Sequence, residues 1–263
     1  GKLCGASGNL NAHQIAFPSV DWIQFASEFI KEMKLEPNLF VTQIEPRDQL
    51  ADLLTTFSRL NNPTIDLATD CWYYISMEYF SQEGKESEVG SSTMPHKLNP
   101  INFENCEGNL NKSNSDLNFI SNYMTRSRLQ RDLSDSTVMR NIGSGLAHSL
   151  LGYKSLIKGL DKLKPNQSEI KNDLSNHQEV VTEAWQTILR KEGHVNAYEM
   201  VKDLSKGKKM SKKLSRKAIE KMPIDEEEKK ILKELQPEEY LGKAPELTEL
   251  AIEKSQKYLS ELG

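Results

Sequence analysis

The sequence predicts an all-α protein, with long bundle helices first and a compact set of short helices after them. Three observations point there. Apolar residues recur at three- and four-residue spacing through most of the 263 residues, and no segment alternates with period two. Proline and glycine fall between these runs at 165, 193, 207, 223, 237 and 245, so the second half divides into short elements. The periodic runs of the first half are long enough to build a helix bundle.

The first helix is expected within PSVDWIQFASEFIKEMKL, residues 18–35. There Val20, Trp22, Ile23, Phe25, Ala26, Phe29, Ile30 and Met33 make a broad apolar face. Pro18 suits a first turn, and Ser19 or Asp21 has the side-chain oxygen to accept free helix N–H groups. A longer helix is expected from about Pro46 to Phe80. Leu50, Leu53, Leu54, Phe57 and Leu60 form one stripe, continued by Ile65, Leu67, Cys71, Ile75 and Tyr79. Pro63 lies inside it and should kink or split the helix, because it lacks an N–H and crowds the preceding turn. Trp72, Tyr73 and Tyr74 are read as core or as a contact between subunits.

From Ser81 to Pro100 no period survives, over a length well beyond the about 2–8 residues that usually join packed helices. Loops of this length are commonly lids, binding loops or disorder, the last expected for QEGKESE and not for the stretch from Val89. Asn99 and Pro100 suit the cap and first turn of the next helix, expected to reach about Tyr123. Its stretch NFENCEGNLNKSNSDLNF holds six asparagines, which are mediocre helix formers. Either a polar face lines a cavity, or the face is solvated. Around TRSRLQRDLSDS the pattern breaks, and this is the expected domain boundary: a helical-bundle domain over 1–126, with its loop at 81–100, and an all-helical domain over 127–263. Ser134 or Asp135 should cap a helix to about Leu163 that buries Val138, Ile142, Leu146, Leu150, Leu151, Leu156 and Leu160. Short helices follow at about 167–175, 178–192, 196–205, 211–222, 225–235 and 245–262.

Composition narrows the function classes. A 37% hydrophobic and 27% charged chain with 14 glycines and 10 prolines is that of an ordinary folded protein. A net charge of −4 gives no global attraction to nucleic acid or anionic membrane. Three distant cysteines, Cys4, Cys71 and Cys106, fit reduced thiols in a cytoplasmic setting and no disulfide framework. No apolar run reaches the about 18 residues of a membrane span, and GKLCGASGNLNAH has no apolar core of a signal peptide. Gly1 in place of Met is consistent with a fragment, a processed product or a missing start. KGKKMSKKLSRK, residues 206–217, has seven basic residues, but it lacks interleaved aromatics and is followed by DEEEKK. A solvated face is the expectation there.

The chemistry is expected in GSSTMPHKLNP, residues 90–100. Three hydroxyls, an ammonium and an amide precede a helix start whose free N–H groups and dipole favour anions. Gly90 lets backbone approach a ligand closely. Such a group set can hold a carboxylate or developing oxyanion, and a serine there can act as base or nucleophile if activated. The residues alone leave three readings open: a polar turn, an anion site and a catalytic serine. No metal-ligand set accompanies them.

GSSTMPHKLNP resembles the signature loop of the fumarase/aspartase superfamily, and PHK followed by INFENCEGNL is similar to its adenylosuccinate lyase branch. GASGNLNAH (5–13), TQIEPRD (42–48) and RLQRDLSDSTVMRNIG (128–143) extend the resemblance over most of the chain. It implies elimination of fumarate from adenylosuccinate to give AMP, and from the succinyl-aminoimidazole-carboxamide ribotide, without a cofactor. It implies Ser91 as general base. Gln43, Ser92, Lys97, Leu98, Asn99 and Asn105 are implied as substrate contacts, and Arg131, Ser136, Thr137, Val138, Met139 and Arg140 as the nucleotide-binding run. It also implies a homotetramer with shared active sites, acting on a nucleotide and on neither nucleic acid nor membrane. The family's general acid is a histidine in a Thr-x-His-Gly segment that these residues do not contain, so the chain by itself is expected to be inactive. His13, His96, His148, His177 and His194 lie in no such motif. A carboxymuconate-type cycloisomerase, which shares MPHK, and a non-catalytic helical assembly protein are the rival readings.

Overall fold

The computed structural model describes residues 1–83, 99–205 and 210–262. The chain forms two compact units, Gly1–Pro165 and Asn166–Gly263. Helix dominates both, in keeping with the all-α expectation.

In the first unit, α1 (Asn11–Ala16) and α2 (Trp22–Glu32) precede three long helices: α3 (Asp48–Ser76), α4 (Ile101–Met124) and α6 (Ile142–Leu160), with the short α5 (Asp135–Met139) between the last two. The Asp21 carboxylate caps α2, accepting the N–H groups of Ile23 and Gln24 at 3.1 and 3.0 Å. Of the apolar face predicted for α2, only Ala26 and Ile30 are buried, while Ile23, Phe25, Phe29 and Met33 stay exposed. Pro63 does not split α3, which runs unbroken for 29 residues. The proline sits on an exposed face, where water can take the carbonyl it frees. Leu53, Leu60 and Leu67 lie on that exposed side as well, as do Trp72, Tyr73 and Tyr74, which are not core within this chain.

The core of the bundle is α4 against α3 and α6. Phe103, Leu110 and Leu117, seven residues apart, point at Gly159, Gly152 and Gly145, also seven apart in the opposite direction. A Cβ at those glycines would stand 2.8, 2.5 and 2.7 Å from the three side chains. The α6 face that packs is therefore its small-residue face. Leu150, Leu151 and Leu160, expected inside, are exposed. Between the apolar layers lies a buried polar knot. Asn61 Nδ2 donates to Ser149 Oγ at 3.1 Å and Asn114 Oδ1 at 2.9 Å, and its Oδ1 accepts from the Tyr153 hydroxyl. Ser113 and Ser149 share a further bond of 2.7 Å.

Two other expectations need correction. The helix predicted from 135 to 163 is two helices, because the Asn141 side chain donates to the Thr137 carbonyl at 3.3 Å while its backbone N–H goes to Val138 O. That competition breaks the helical ladder. No strand was expected, yet β1 (Phe80–Gln82) pairs antiparallel with β2 (Leu163–Pro165), with Phe80 opposite Pro165 and Gln82 opposite Leu163. The two strands follow the ends of α3 and α6 and are three residues each, too short for a period to show.

The second unit contains α7 (Gln167–Asn176), a 3₁₀ turn (Gln178–Val181), α8 (Thr182–Lys191), α9 (Ala197–Ser205), α10 (Lys212–Glu220), α11 (Glu226–Glu234) and α12 (Ala244–Leu262). Helices of 9 or 10 residues are marginal in isolation. Here they close on one core around Trp185, Leu189, Ile219 and Leu232. Caps add to this: Asp225 accepts Glu228 N–H at 2.7 Å and Ser211 accepts Leu214 N–H at 3.3 Å. Lys212, Lys213, Arg216 and Lys217 of the basic stretch point to solvent from α10, and residues 206–209 fall outside the described residues. Every residue of α12 is exposed. Among the described residues, no helix is long and apolar enough to cross a membrane.

Candidate active site

The site residues expected from sequence fall into three sets. Ser91, Ser92, Lys97 and Leu98 lie outside the described residues. Asn99 and Asn105 stand at the start of α4, both exposed. The Asn99 carbonyl accepts the Ile101 N–H at 2.8 Å, and the Asn105 carbonyl accepts Asn109 Nδ2 at 2.8 Å. The asparagines further along α4 mostly bond to their own helix or to α3 and α6, so the polar face serves packing there. Asn114 reaches Asn61 and Asn62, and Asn109 meets His148 Nδ1 at 2.8 Å.

The third set gathers at the other end of α4. Gln43 is exposed on the loop before α3, and Arg131 on the segment after α4. Thr42 Oγ1 donates to the Gln130 carbonyl at 3.1 Å, which places the two predicted contacts one residue either side of a direct bond. A cleft of about 560 Å³ opens between these segments, lined by Gly8, Asn9, Thr42, Arg126, Ser127 and Gln130 among others. Gly8 has φ +80°, and a Cβ there would lie 2.5 Å from the carbonyl oxygens of Val41 and Thr42. The close approach of GASGN to TQIEP thus requires glycine.

The segment 127–140 holds its shape through Asp132. That carboxylate accepts the Arg128 and Ser134 N–H groups at 3.1 and 3.0 Å, and also the Ser134 hydroxyl. The Ser134 hydroxyl first, then the Arg128 N–H, holds the Asp132 carboxyl well below the usual carboxylate range. Leu129 and Gln130 take left-handed backbone, at φ 47° and 70°. Next along the chain, Asp135 is buried and paired with Arg47, and Val138 packs with Leu54, Leu117, Ile120 and Met124. Ser136, Thr137, Met139 and Arg140 are exposed. The Val138 side chain is committed to the core, so that position can offer a ligand only its backbone.

The two described sets are far apart within one chain. Asn105 and Met124 are nineteen positions apart on one continuous helix, about 28 Å along its axis. Arg131 follows the far end of that helix.

Sequence reading passed over Thr42, Arg47 and Asp132, and took Asp135 only as a possible helix cap, although all four sit inside the quoted motifs. The partners of Thr42 and Arg47 lie 88 residues away and carry no local signal. Among the described residues no group of His, Cys, Asp and Glu could hold a metal ion. His148 is a half-buried helix residue bonded to Asn109, and His13 packs edge-on against Trp22 at 5.0 Å. Cys4, Cys71 and Cys106 are free and buried; burial pushes the Cys106 thiol up to about 11.

Residues 1–112 match the family model described as Lyase, and residues 127–241 match that described as Adenylosuccinate lyase C-terminal. The chain is 47% identical over 246 residues to the adenylosuccinate lyase of Legionella pneumophila (strain Corby), covering 94% of this chain and 54% of that protein. It is 43% identical over 244 residues to that of Escherichia coli (strain K12), covering 93% and 54%. It is 46% identical over 252 residues to that of Dictyostelium discoideum, again covering 93% and 54%. The chain therefore spans about half the length of these relatives. In fold it is similar to the 3-carboxy-cis,cis-muconate lactonizing enzyme of Pseudomonas putida, with TM-score 0.68 at 18% identity, over 98% of this chain and 58% of that one. From the two matched models and the shared motifs, the chain belongs to the adenylosuccinate lyase family of the fumarase/aspartase superfamily.

Proposed function

We propose that this chain forms part of an adenylosuccinate lyase, which eliminates fumarate from adenylosuccinate to give AMP. The same chemistry would act on the succinyl-aminoimidazole-carboxamide ribotide of purine synthesis, in the cytoplasm. Ser91 takes the proton from the carbon beside a carboxylate. Lys97 and Asn99 steady the charge that grows on that carboxylate. Ser92, Leu98, Asn105 and Gln43 complete the contacts to substrate. Arg131 and the run Ser136–Arg140 take the nucleotide, a guanidinium and hydroxyls being suited to phosphate. The proton donor to the leaving nitrogen comes from outside these 263 residues, which contain no Thr-x-His-Gly segment.

One observation carries the reading: TQIEPRD and RLQRDLSDS, distant in sequence, are bonded to each other beside a cleft. The separation of Asn105 from Arg131 supports active sites shared between copies, as a homotetramer would provide. Exposed apolar side chains on α3 and α6 supply surface for that assembly. The bundle domain at 1–126 would carry the elimination chemistry, and the domain from 127 the nucleotide contacts. Fumarate release from adenylosuccinate by the full-length protein, followed by absorbance, tests the assignment. A folded tetramer that releases none would overturn it.

A further inference from the structure

The nucleotide-binding segment is internally braced but externally tied at few points, and two of those ties come from the loop that carries Gln43. Between Met124 and Asp135 no helix or strand supports the chain. Two consecutive non-glycine residues, Leu129 and Gln130, sit in left-handed backbone, a conformation that persists only where the surroundings enforce it. Asp132 and Ser127 bond within the segment, the latter accepting the Asp132 N–H at 3.1 Å. Those bonds fix its shape. They do not fix its place.

Val138 anchors its far end in the core, and the rest is placed from residues 42–47. Thr42 Oγ1 donates to Gln130 O, and Arg47 Nη1 stands 2.5 Å from Asp135 Oδ2. Each tie ends one residue short of a predicted ligand contact: Gln130 precedes Arg131, and Asp135 precedes Ser136. Arg47 is itself in left-handed backbone at φ 64°, with its N–H held by Glu45 Oε2 at 2.7 Å. Its guanidinium is thereby aimed by a local turn, and it also lies 3.6 Å from Met124 Sδ at the end of α4.

We propose that Thr42 and Arg47 are positioning residues for the nucleotide-binding segment, setting Arg131 and Ser136 against the substrate phosphate. The inference rests on the lyase reading above. Phosphate contacts are made in the ground state and the transition state alike. Loosening them weakens binding without changing the chemical step, so KM moves and kcat stays.

The test is steady-state kinetics on the full-length protein with four variants. Thr42→Val keeps shape and loses one donor at an exposed position. Arg47→Met loses the charge, Arg47→Lys keeps it, and Arg47→Met with Asp135→Asn leaves no lone buried carboxylate. We expect Thr42→Val to raise KM several-fold and Arg47→Met by about tenfold or more, with kcat within about twofold of wild type. Arg47→Lys should recover part of the KM, and the double variant should fold normally yet keep the raised KM. Wild-type KM in Thr42→Val and in the folded double variant would overturn the proposal, as would losses confined to kcat or melting temperature. A wild-type protein that releases no fumarate sinks the lyase reading itself, and the proposal with it, so the two failures are distinct.

Discussion

The Arg47 guanidinium lies 2.5 Å from the Asp135 carboxylate, with the two side chains only 16% and 9% exposed. It joins the loop before α3 to the start of α5. Breaking a largely buried pair from one side leaves an uncompensated charge, which costs about 3–5 kcal/mol. Arg47→Met alone should lower unfolding free energy by that order in denaturant titration. Replacing Asp135 by Leu in the same chain should restore most of it. Equal losses in the single and double variants would contradict a pairwise origin.

The glycine notches predict opposite outcomes for one kind of substitution. Gly152→Ala would put a Cβ 2.5 Å from Leu110 Cδ2, and overpacking of this sort costs about 1–3 kcal/mol. Gly108, on the same bundle but with nothing within 4 Å of a new Cβ, should gain up to about 1 kcal/mol from Ala through helix propensity. Thermal melts of the two variants against wild type decide it.

Asn61 is fully buried and serves four side chains at once. Asn61→Leu would remove an acceptor from the Tyr153 hydroxyl and the donor to Asn114 Oδ1, at about 1–3 kcal/mol for each group left unpaired, while Ser149 keeps its bond to Ser113. A Tyr153→Phe change in the Asn61→Leu background should recover part of the loss. If it makes matters worse, the knot is not what stabilises this layer.

Asp132 gives a pH prediction with a definite sign. Its carboxyl titrates lower when folded than the about 3.9 of an unfolded aspartate, so the loop gains stability above that value. The gain disappears as pH falls from about 4 toward the lower folded value. Asp132→Asn should abolish that acid-limb contribution while leaving the behaviour between pH 6 and 8 parallel to wild type, on the order of one bond weaker throughout. Carbon-13 detection of the Asp132 carboxyl at pH 3 should find it ionised.

For the proposed elimination, Ser91→Ala in the full-length protein should reduce turnover by about 10²–10⁴-fold, the usual contribution of a positioned base, with little change in substrate affinity. Lys97→Ala should raise KM and lower kcat together, since its charge acts before and during proton removal. Single-turnover fumarate release separates the two. Near wild-type turnover in Ser91→Ala would remove it as the base.

The order of the longer helices was legible in the sequence, as was the short set after Pro165, because caps and breakers act within a few residues. Which face each helix buries was not. On α2, α3 and α6 apolar residues cover more surface than this chain encloses, so counting leucines assigned Leu150 and Leu151 to a core built instead around Gly145, Gly152 and Gly159. The division after Met139 depends on one asparagine side chain competing for one carbonyl. At the site, Gln43, Arg131 and Ser136 were pointed to by the resemblance of their motifs, as proposed contacts. The bonds that hold their segments join positions 88 residues apart, a relation that only the folded chain displays.

The seven-residue match between Phe103, Leu110 and Leu117 on one helix and three glycines on the other bears on how the molecule comes apart. A partial slide would drive each knob into a neighbouring side chain, so the pair has no low-energy halfway state. Its backbone amides should exchange with deuterium together, and last in this unit, as a single cooperative block. The frayed ends around that block then become the first places where protease or solvent gains entry.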